Sequence, residues 1–177
     1  IRSGALPLAL ILALATPLGA ESPAVSWSMD YDAAIADGMS RRRPVLILFD
    51  APPSSTRRKN LLPDLDEDPA FTEFAARQLA LGTVPAPGLT TDAAAERRAR
   101  QLRANHGIGS LPALVLIDPD GRTLGSPSLT SRQTAAQLAR AIKRLIPPAL
   151  RLAATNATAI APRSEEHTSE LQSRQVI

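Results

Sequence analysis

The stretch of sequence with the most potential for chemistry is Ser54-Ser-Thr-Arg-Arg-Lys59, in which hydroxyl side chains precede basic ones. A serine becomes a nucleophile only beside a general base, and His106 is the candidate base. Basic side chains near free backbone amides can instead bind an anion. We favour a third interpretation, in which the hydroxyl side chains cap a following helix and the basic side chains are solvated. At the predicted end of a helix, His106 is expected to be a cationic dipole partner or a surface residue.

The composition excludes several other kinds of chemistry. The 177 residues include no cysteine, which excludes disulfides, thiolate nucleophiles and cysteine-ligated metals. Only two histidines, His106 and His167, are present, and the latter lies in the terminal segment described below. The acidic residues between positions 64 and 68 lack the spacing and the turn glycine of an EF-hand loop. We interpret them as a negatively charged first helical turn, and we expect neither a metal nor another cofactor.

Charge and aromatic content argue against a nucleic-acid partner. The 20 Lys and Arg residues nearly balance the 17 Asp and Glu residues, giving a formal net charge of +3. A charge this small is typical of a soluble surface rather than of a basic nucleic-acid footprint. Aromatic residues make up 3% of the chain, too few for a base-stacking platform.

Three apolar runs predict the strands of a central sheet. Residues 44–49 form a continuous apolar run of strand length, which is typical of a strand covered on both faces. Residues 79–84 and 111–118 are the second and third predicted strands. Pro119-Asp-Gly121 predicts a tight turn, after which Thr123 and Leu124 can return as a hairpin partner.

Apolar spacing and capping residues predict four helices before, between and after these strands. The first predicted helix covers residues 31–39, with Asp30 or Asp32 as its N-cap. Asp68-Pro69 is a typical start for the second helix. The third predicted helix covers residues 91–106 and ends before Gly107. The fourth covers residues 131–146 and ends at two prolines. The alternation of helices and strands predicts an α/β domain with a mixed sheet flanked by helices.

The ordered set of these features resembles the thioredoxin-like family, in its exported type with a Trp-Cys-x-x-Cys-Lys motif after a strand. Trp27 and the first helix precede the apolar strand Val45–Phe49. Asp68-Pro-Ala-Phe-Thr-Glu-Phe74 matches the family's Pro-x-Phe helix start. Residues 107–121 match a segment of the family in which a glycine is followed by a proline and then by an Asp-x-x-Gly turn. The resemblance covers residues 27–146 and implies a three-layer sandwich with a mixed central sheet.

The resemblance also locates the position of the family's redox site. The two cysteines of the family fall at Ser55 and Arg58, and its tryptophan falls at Ser54. Thiol–disulfide exchange needs an attacking thiolate and a second, resolving thiol. This sequence therefore cannot perform the family's chemistry.

A second part of the family's site needs no cysteine. Pro112 matches the family's cis-proline, whose loop exposes backbone groups to an extended peptide. The alternative is a trans proline at the first residue of an edge strand. The resemblance thus implies a peptide-binding loop pair made of Ser54, Ser55, Thr56, Arg57, Arg58, Ser110, Leu111 and Pro112.

Three functional hypotheses follow. The first is a redox-inactive exported domain that binds an extracytoplasmic protein or peptide through the Ser55 and Pro112 loops. The second is a thiol–disulfide oxidoreductase whose cysteines are lost or missing from this sequence. The third is a structural domain of a larger assembly. The oligomeric state and the identity of the partner stay open.

The two ends of the chain are expected to lie outside the folded domain. Residues 1–24 read as an export signal: Arg2 precedes an apolar run over residues 5–15, and small residues follow as far as Ala20 or Ala24. The apolar run is shorter than the roughly 20 residues that a membrane span needs, so an anchor is the weaker interpretation. A buried core helix is also the weaker interpretation, because the residues before Glu21 have no amphipathic pattern. We therefore expect a periplasmic or secreted protein, with no stable membrane span.

The remaining boundaries follow from composition. The domain is expected to cover residues 25–148, followed by a linker or disordered tail over residues 149–162. In the last segment, residues 163–177, the stretch from Arg163 to Ser173 resembles the conceptual translation of a sequencing-adapter oligonucleotide. A genuine polar tail is the alternative, and both interpretations exclude the segment from the fold.

Overall fold

The computed structural model of the chain describes residues 25–151. The predicted export signal and the adapter-like segment lie outside the described residues, as does most of the predicted linker. Within residues 25–151 the elements are α1 Tyr31–Arg41, β1 Val45–Phe49, α2 Thr56–Leu61, α3 Pro69–Gln78, β2 Ala80–Val84, α4 Ala93–Asn105, β3 Ala113–Ile117, β4 Thr123–Gly125 and α5 Ala135–Leu145.

The four strands form one mixed sheet in the order β2-β1-β3-β4. β1 is parallel to β2 and antiparallel to β3, and β4 returns antiparallel to β3 as the predicted hairpin partner. Ser28 adds an isolated parallel bridge to Gly82 on the outer side of β2. The mixed sheet between helices confirms the predicted α/β class.

Both faces of the sheet are covered, which explains the unbroken apolar runs. All five residues of β1 are buried. Leu46 and Leu48 face the core formed with α3 and α5, whereas Val45, Ile47 and Phe49 face the core formed with α1 and α4. Because successive side chains of a strand point to opposite faces, a strand between two helical layers must be apolar at every position. The result is the predicted three-layer sandwich.

Side-chain caps set the starts of the helices. Asp30 accepts hydrogen bonds from the backbone of α1, and Asp68 accepts one from Phe71 N with Pro69 at the first helical position. Each cap satisfies a backbone N–H that the helix itself leaves without a partner. Thr134 and Gln137 form a reciprocal capping box at the start of α5.

The structure confirms one expectation about the segment between β1 and α3 and corrects another. The helix expected after the hydroxyl side chains is the short helix α2, none of whose residues is buried. The acidic residues between positions 64 and 68 do not form a charged first helical turn: only Asp68 caps α3, and the others precede it. Asp66 instead accepts a hydrogen bond of 2.7 Å from the indole Nε1 of Trp27, whose ring stacks on Phe71.

Packing continues slightly past the predicted end of the domain, because Leu150 contacts the core on the α3 and α5 face. In residues 25–151, no helix combines the length and apolar character that crossing a bilayer requires.

Candidate peptide-binding site

Ser55, which the resemblance places at the family's first cysteine, is the N-cap of α2. Its hydroxyl accepts a hydrogen bond of 3.4 Å from the backbone N–H of Arg58. Its own backbone N–H donates to Pro52 O at 2.8 Å. The predicted capping role is therefore confirmed for Ser55.

Arg58, which the resemblance places at the second cysteine, forms an ion pair with the residue that follows β1. Its Nε donates to Oδ1 of Asp50 at 2.7 Å, and the side chains of Arg58 and Asp50 are 36% and 18% exposed. Arg58 is therefore ion-paired as well as partly exposed to solvent. The pair lines a cleft of about 390 Å³ on one side of α2, together with Trp27 and Met29.

Arg57 points to the other side of α2 and contacts the loop that precedes β3. Its Nη2 donates to the hydroxyl of Ser110 at 3.1 Å, across 53 positions of sequence. Arg57, Ser110 and Pro112 together line a second cleft, of about 260 Å³. The Leu111–Pro112 peptide bond is cis. The structure thus brings one member of the Ser55 loop against the Pro112 loop.

The Pro112 loop has backbone donors that the described part of the molecule leaves unused. At its start, Gly107 N and Ile108 N donate to carbonyls at the end of α4, at 3.1 and 2.8 Å. The next three amides, of Gly109, Ser110 and Leu111, donate no hydrogen bond to any residue within 25–151. Backbone amides are strong donors, so these three either bind water or remain available to a ligand.

The eight predicted binding residues divide into two groups. Arg57, Ser110 and Pro112 line the cleft beside the Pro112 loop; Ser54, Ser55, Thr56, Arg58 and Leu111 do not. Several other residues that line this cleft have no sequence pattern that marks them as part of a site, namely Leu61, His106, Ser126, Pro127 and Leu129. Only the fold brings them together, since they come from α2, the end of α4 and the segment after β4.

His106 is a packed, hydrogen-bonded residue at the C-terminal end of α4. Its Nε2 lies 2.9 Å from the hydroxyl of Tyr31, and its Nδ1 lies 3.4 Å from Oγ1 of Thr123. Its ring centroid is 5.7 Å from that of Phe49. Burial lowers the pKa of His106 below the ordinary 6.5, which disfavours the cationic role expected at the helix end. Within the described residues it has no hydrogen bond to a serine, which leaves no serine–histidine pair there.

The stability of the fold should depend on the charge of His106. Because burial lowers its pKa in the folded state, the unfolded chain binds more protons between that lowered pKa and 6.5. Stability should therefore fall as pH decreases through 6.5, and change no further on this account below the folded-state pKa. Urea unfolding of the full chain on both sides of pH 6.5 measures this slope. A His106→Gln variant should show a shallower slope, while His167 is common to both proteins; equal slopes would contradict the assignment.

No group of three or more His, Asp or Glu side chains within residues 25–151 is arranged to hold a metal ion. Of the four carboxylates that line the larger cleft, Asp50 pairs with Arg58 and Asp66 accepts a hydrogen bond from Trp27.

Comparison with solved structures identifies the fold. A structure described as DsbH oxidoreductase matches with a TM-score of 0.58 and 18% identity, over 81% of this chain and 94% of that chain. A thioredoxin from Thermus thermophilus matches with a TM-score of 0.44 and 14% identity, over 82% and 99% of the two chains. A disulphide isomerase from Xylella fastidiosa Temecula1 gives 0.36 and 19%, over 74% and 88%. No family model matches the sequence, and no curated protein matches it significantly.

The chain therefore has a thioredoxin-like fold. It contains no cysteine, which is consistent with replacement of the Cys-x-x-Cys motif by Ser55-Thr-Arg-Arg58. With a capping serine and an ion-paired arginine at those two positions, no thiol is present to attack or to resolve a disulfide.

Proposed function

We propose that this domain binds an extended peptide, or an extended segment of a partner protein, in the cleft between α2 and the Pro112 loop. The observation that carries the proposal is the run of three backbone amides, Gly109 to Leu111, without a hydrogen-bond partner within residues 25–151. An extended ligand can pair its own main chain with such groups, as in strand addition to a sheet.

The dimensions and lining of the cleft support a peptide rather than a larger cofactor. Sites for drug-sized ligands typically occupy about 300–1,000 Å³, whereas this cleft has about 260 Å³. That volume suits one or two side chains of a ligand that continues along the surface. The lining combines apolar Leu61, Pro112 and Leu129 with the hydroxyls of Ser110 and Ser126. Such a mixture accommodates an apolar side chain while hydrogen-bonding the adjacent main chain.

The location of the partner is part of the same proposal and rests on residues 1–24. We propose that these residues direct export, that the domain over residues 25–148 acts in the periplasm or outside the cell, and that no cofactor takes part. N-terminal sequencing of the protein recovered from an exporting bacterial host tests this. Cleavage after Ala20 or Ala24 supports export, and an intact N-terminus in the cytoplasm contradicts it.

A bulky side chain inside the cleft should abolish peptide binding. Ser126 is exposed and lines the cleft, so Ser126→Trp fills space that the peptide needs. Ser128 is also exposed but does not line this cleft, so Ser128→Trp is a matched control with the same added aromatic surface. The full chain is immobilised and probed with an array of peptides of random sequence. Retention should be lost with Ser126→Trp and kept with Ser128→Trp. No retention by the parent chain, or equal retention by both variants, contradicts the proposal.

A further inference from the structure

We propose that the ligand of this cleft carries a carboxylate, and that Arg57 selects it. This inference rests on the proposed peptide-binding function and adds the chemical class of the ligand. Three features of the described residues support it: the charge of the cleft lining, the free donors of Arg57, and the opposite charge on the other side of α2.

The lining of the cleft is positive and rich in donors. Among the described residues that line it, Arg57 is the only one that carries a permanent charge, and none is a carboxylate. His106 also lines the cleft, and burial disfavours its cationic form. The remaining lining side chains are apolar or hydroxyl-bearing. The cleft also offers the unpartnered backbone amides of Gly109 and Ser110 as hydrogen-bond donors. The complementary ligand is an acceptor with negative charge.

Arg57 is placed at the cleft and keeps most of its donors available. Its guanidinium donates one hydrogen bond, to the Ser110 hydroxyl at 3.1 Å. A guanidinium has five N–H donors, so the fork that pairs with a carboxylate is not exhausted by this contact. Arg57 forms no ion pair with an acidic residue within 25–151, whereas its neighbour Arg58 pairs with Asp50. Of these two adjacent arginines, only Arg57 is therefore available to an incoming anion.

The opposite side of α2 discriminates against the same ligand. The larger cleft there is lined by the carboxylates of Asp50, Asp64, Asp66 and Glu67, with Arg58 as its one cation. An anionic segment is repelled from that side and attracted to the Arg57 side. Because like charges brought together are costly, this asymmetry selects the cleft that the ligand enters.

A carboxylate can come from an acidic side chain or from the C-terminus of a peptide, and matched peptide pools separate the two sources. The probes are four random-sequence pools: Glu, Gln or Lys at the centre with both termini blocked, and Gln at the centre with a free C-terminal carboxylate. Retention of each pool on the full immobilised chain is measured at low and high salt. A hydrogen-bonded pair with a charged group contributes about 1.5–3 kcal/mol, so at least one carboxylate-bearing pool should be retained about tenfold more than the blocked Gln pool. Salt should reduce this difference.

Variants assign the preference to Arg57. Arg57→Gln should remove the preference while the blocked Gln pool still binds, and Arg57→Glu should shift it to the Lys pool. Arg140→Gln is the matched control, since Arg140 is an exposed arginine on α5. Equal retention of all four pools, or a preference unchanged in Arg57→Gln, overturns the carboxylate inference alone. Failure of every pool to bind, in parent and variants alike, overturns the proposed peptide binding as well.

Discussion

Replacing Phe71 with alanine is expected to lower the free energy of unfolding by about 3–5 kcal/mol, the usual cost of removing a buried phenylalanine. Phe71 is fully buried in the core between the sheet, α3 and α5, and its ring lies parallel to that of Trp27 with centroids 6.4 Å apart. Replacing the phenyl ring with a methyl group removes a large buried apolar surface and leaves a cavity that the surrounding core closes only partially. Because domains are stable by only about 5–15 kcal/mol, much of the total would be lost.

Urea unfolding of the full chain, followed by far-ultraviolet circular dichroism, measures the Phe71→Ala effect without relying on the fluorescence of the single tryptophan. Leu89→Ala is the control for loss of apolar surface. Leu89 is 55% exposed, so its replacement should change stability by no more than about 0.5 kcal/mol. Similar small losses for both variants would show that the Trp27 and Phe71 face is not a packed core.

Gly38→Ala is expected to destabilise the fold by about 1–3 kcal/mol, the typical cost of overpacking. Helix propensity alone predicts the reverse, because alanine is favoured over glycine in a helix interior by about 1 kcal/mol. Packing should outweigh propensity here. A Cβ at Gly38 would overlap the side chain of Val45, which is fully buried in β1, and would lie 2.9 Å from the carbonyl oxygen of Arg43. Neither the Val45 side chain nor the Arg43 carbonyl can move away from the new Cβ unless α1 moves away from the sheet.

Gly109→Ala is the matched control for this substitution. No atom lies within 4 Å of a Cβ built at Gly109, and its φ is not in the left-handed region. Its replacement should leave the urea midpoint nearly unchanged. If Gly38→Ala stabilised the protein as propensity predicts, the close approach of α1 to β1 would be contradicted.

The sequence was sufficient for the sheet and the longer helices because their determinants are local. Five consecutive buried residues in β1 require an unbroken apolar run, and an aspartate before a proline marks the start of α3. The helix α2 was not in the predicted order of elements because it buries none of its six residues and so has no apolar periodicity. Only its cap, Ser55, was visible in the sequence.

The candidate site could be predicted only in part, because its decisive contacts join distant segments. Arg57 and Arg58 are adjacent and chemically identical, yet one contacts Ser110 and the other pairs with Asp50. The helix directs successive side chains to different sides, which gives the two arginines different partners. No local pattern shows which partner lies on which side, because both partners belong to other segments. His106 was misassigned for a similar reason. Its hydrogen-bond partner Tyr31 lies 75 positions away along the chain, so no local pattern indicates the contact.

The most direct test of the account is a titration of the ¹⁵N-labelled full chain with the peptides that the immobilised protein retains, followed by amide correlation spectra. If the peptide binds beside the Pro112 loop, the cross-peaks of Gly109, Ser110 and Leu111 and the side-chain signal of Arg57 should shift with peptide concentration. The indole signal of Trp27, which belongs to the opposite cleft, should stay in place. Peptide binding that shifts Trp27 and leaves the Pro112 loop unchanged would contradict it.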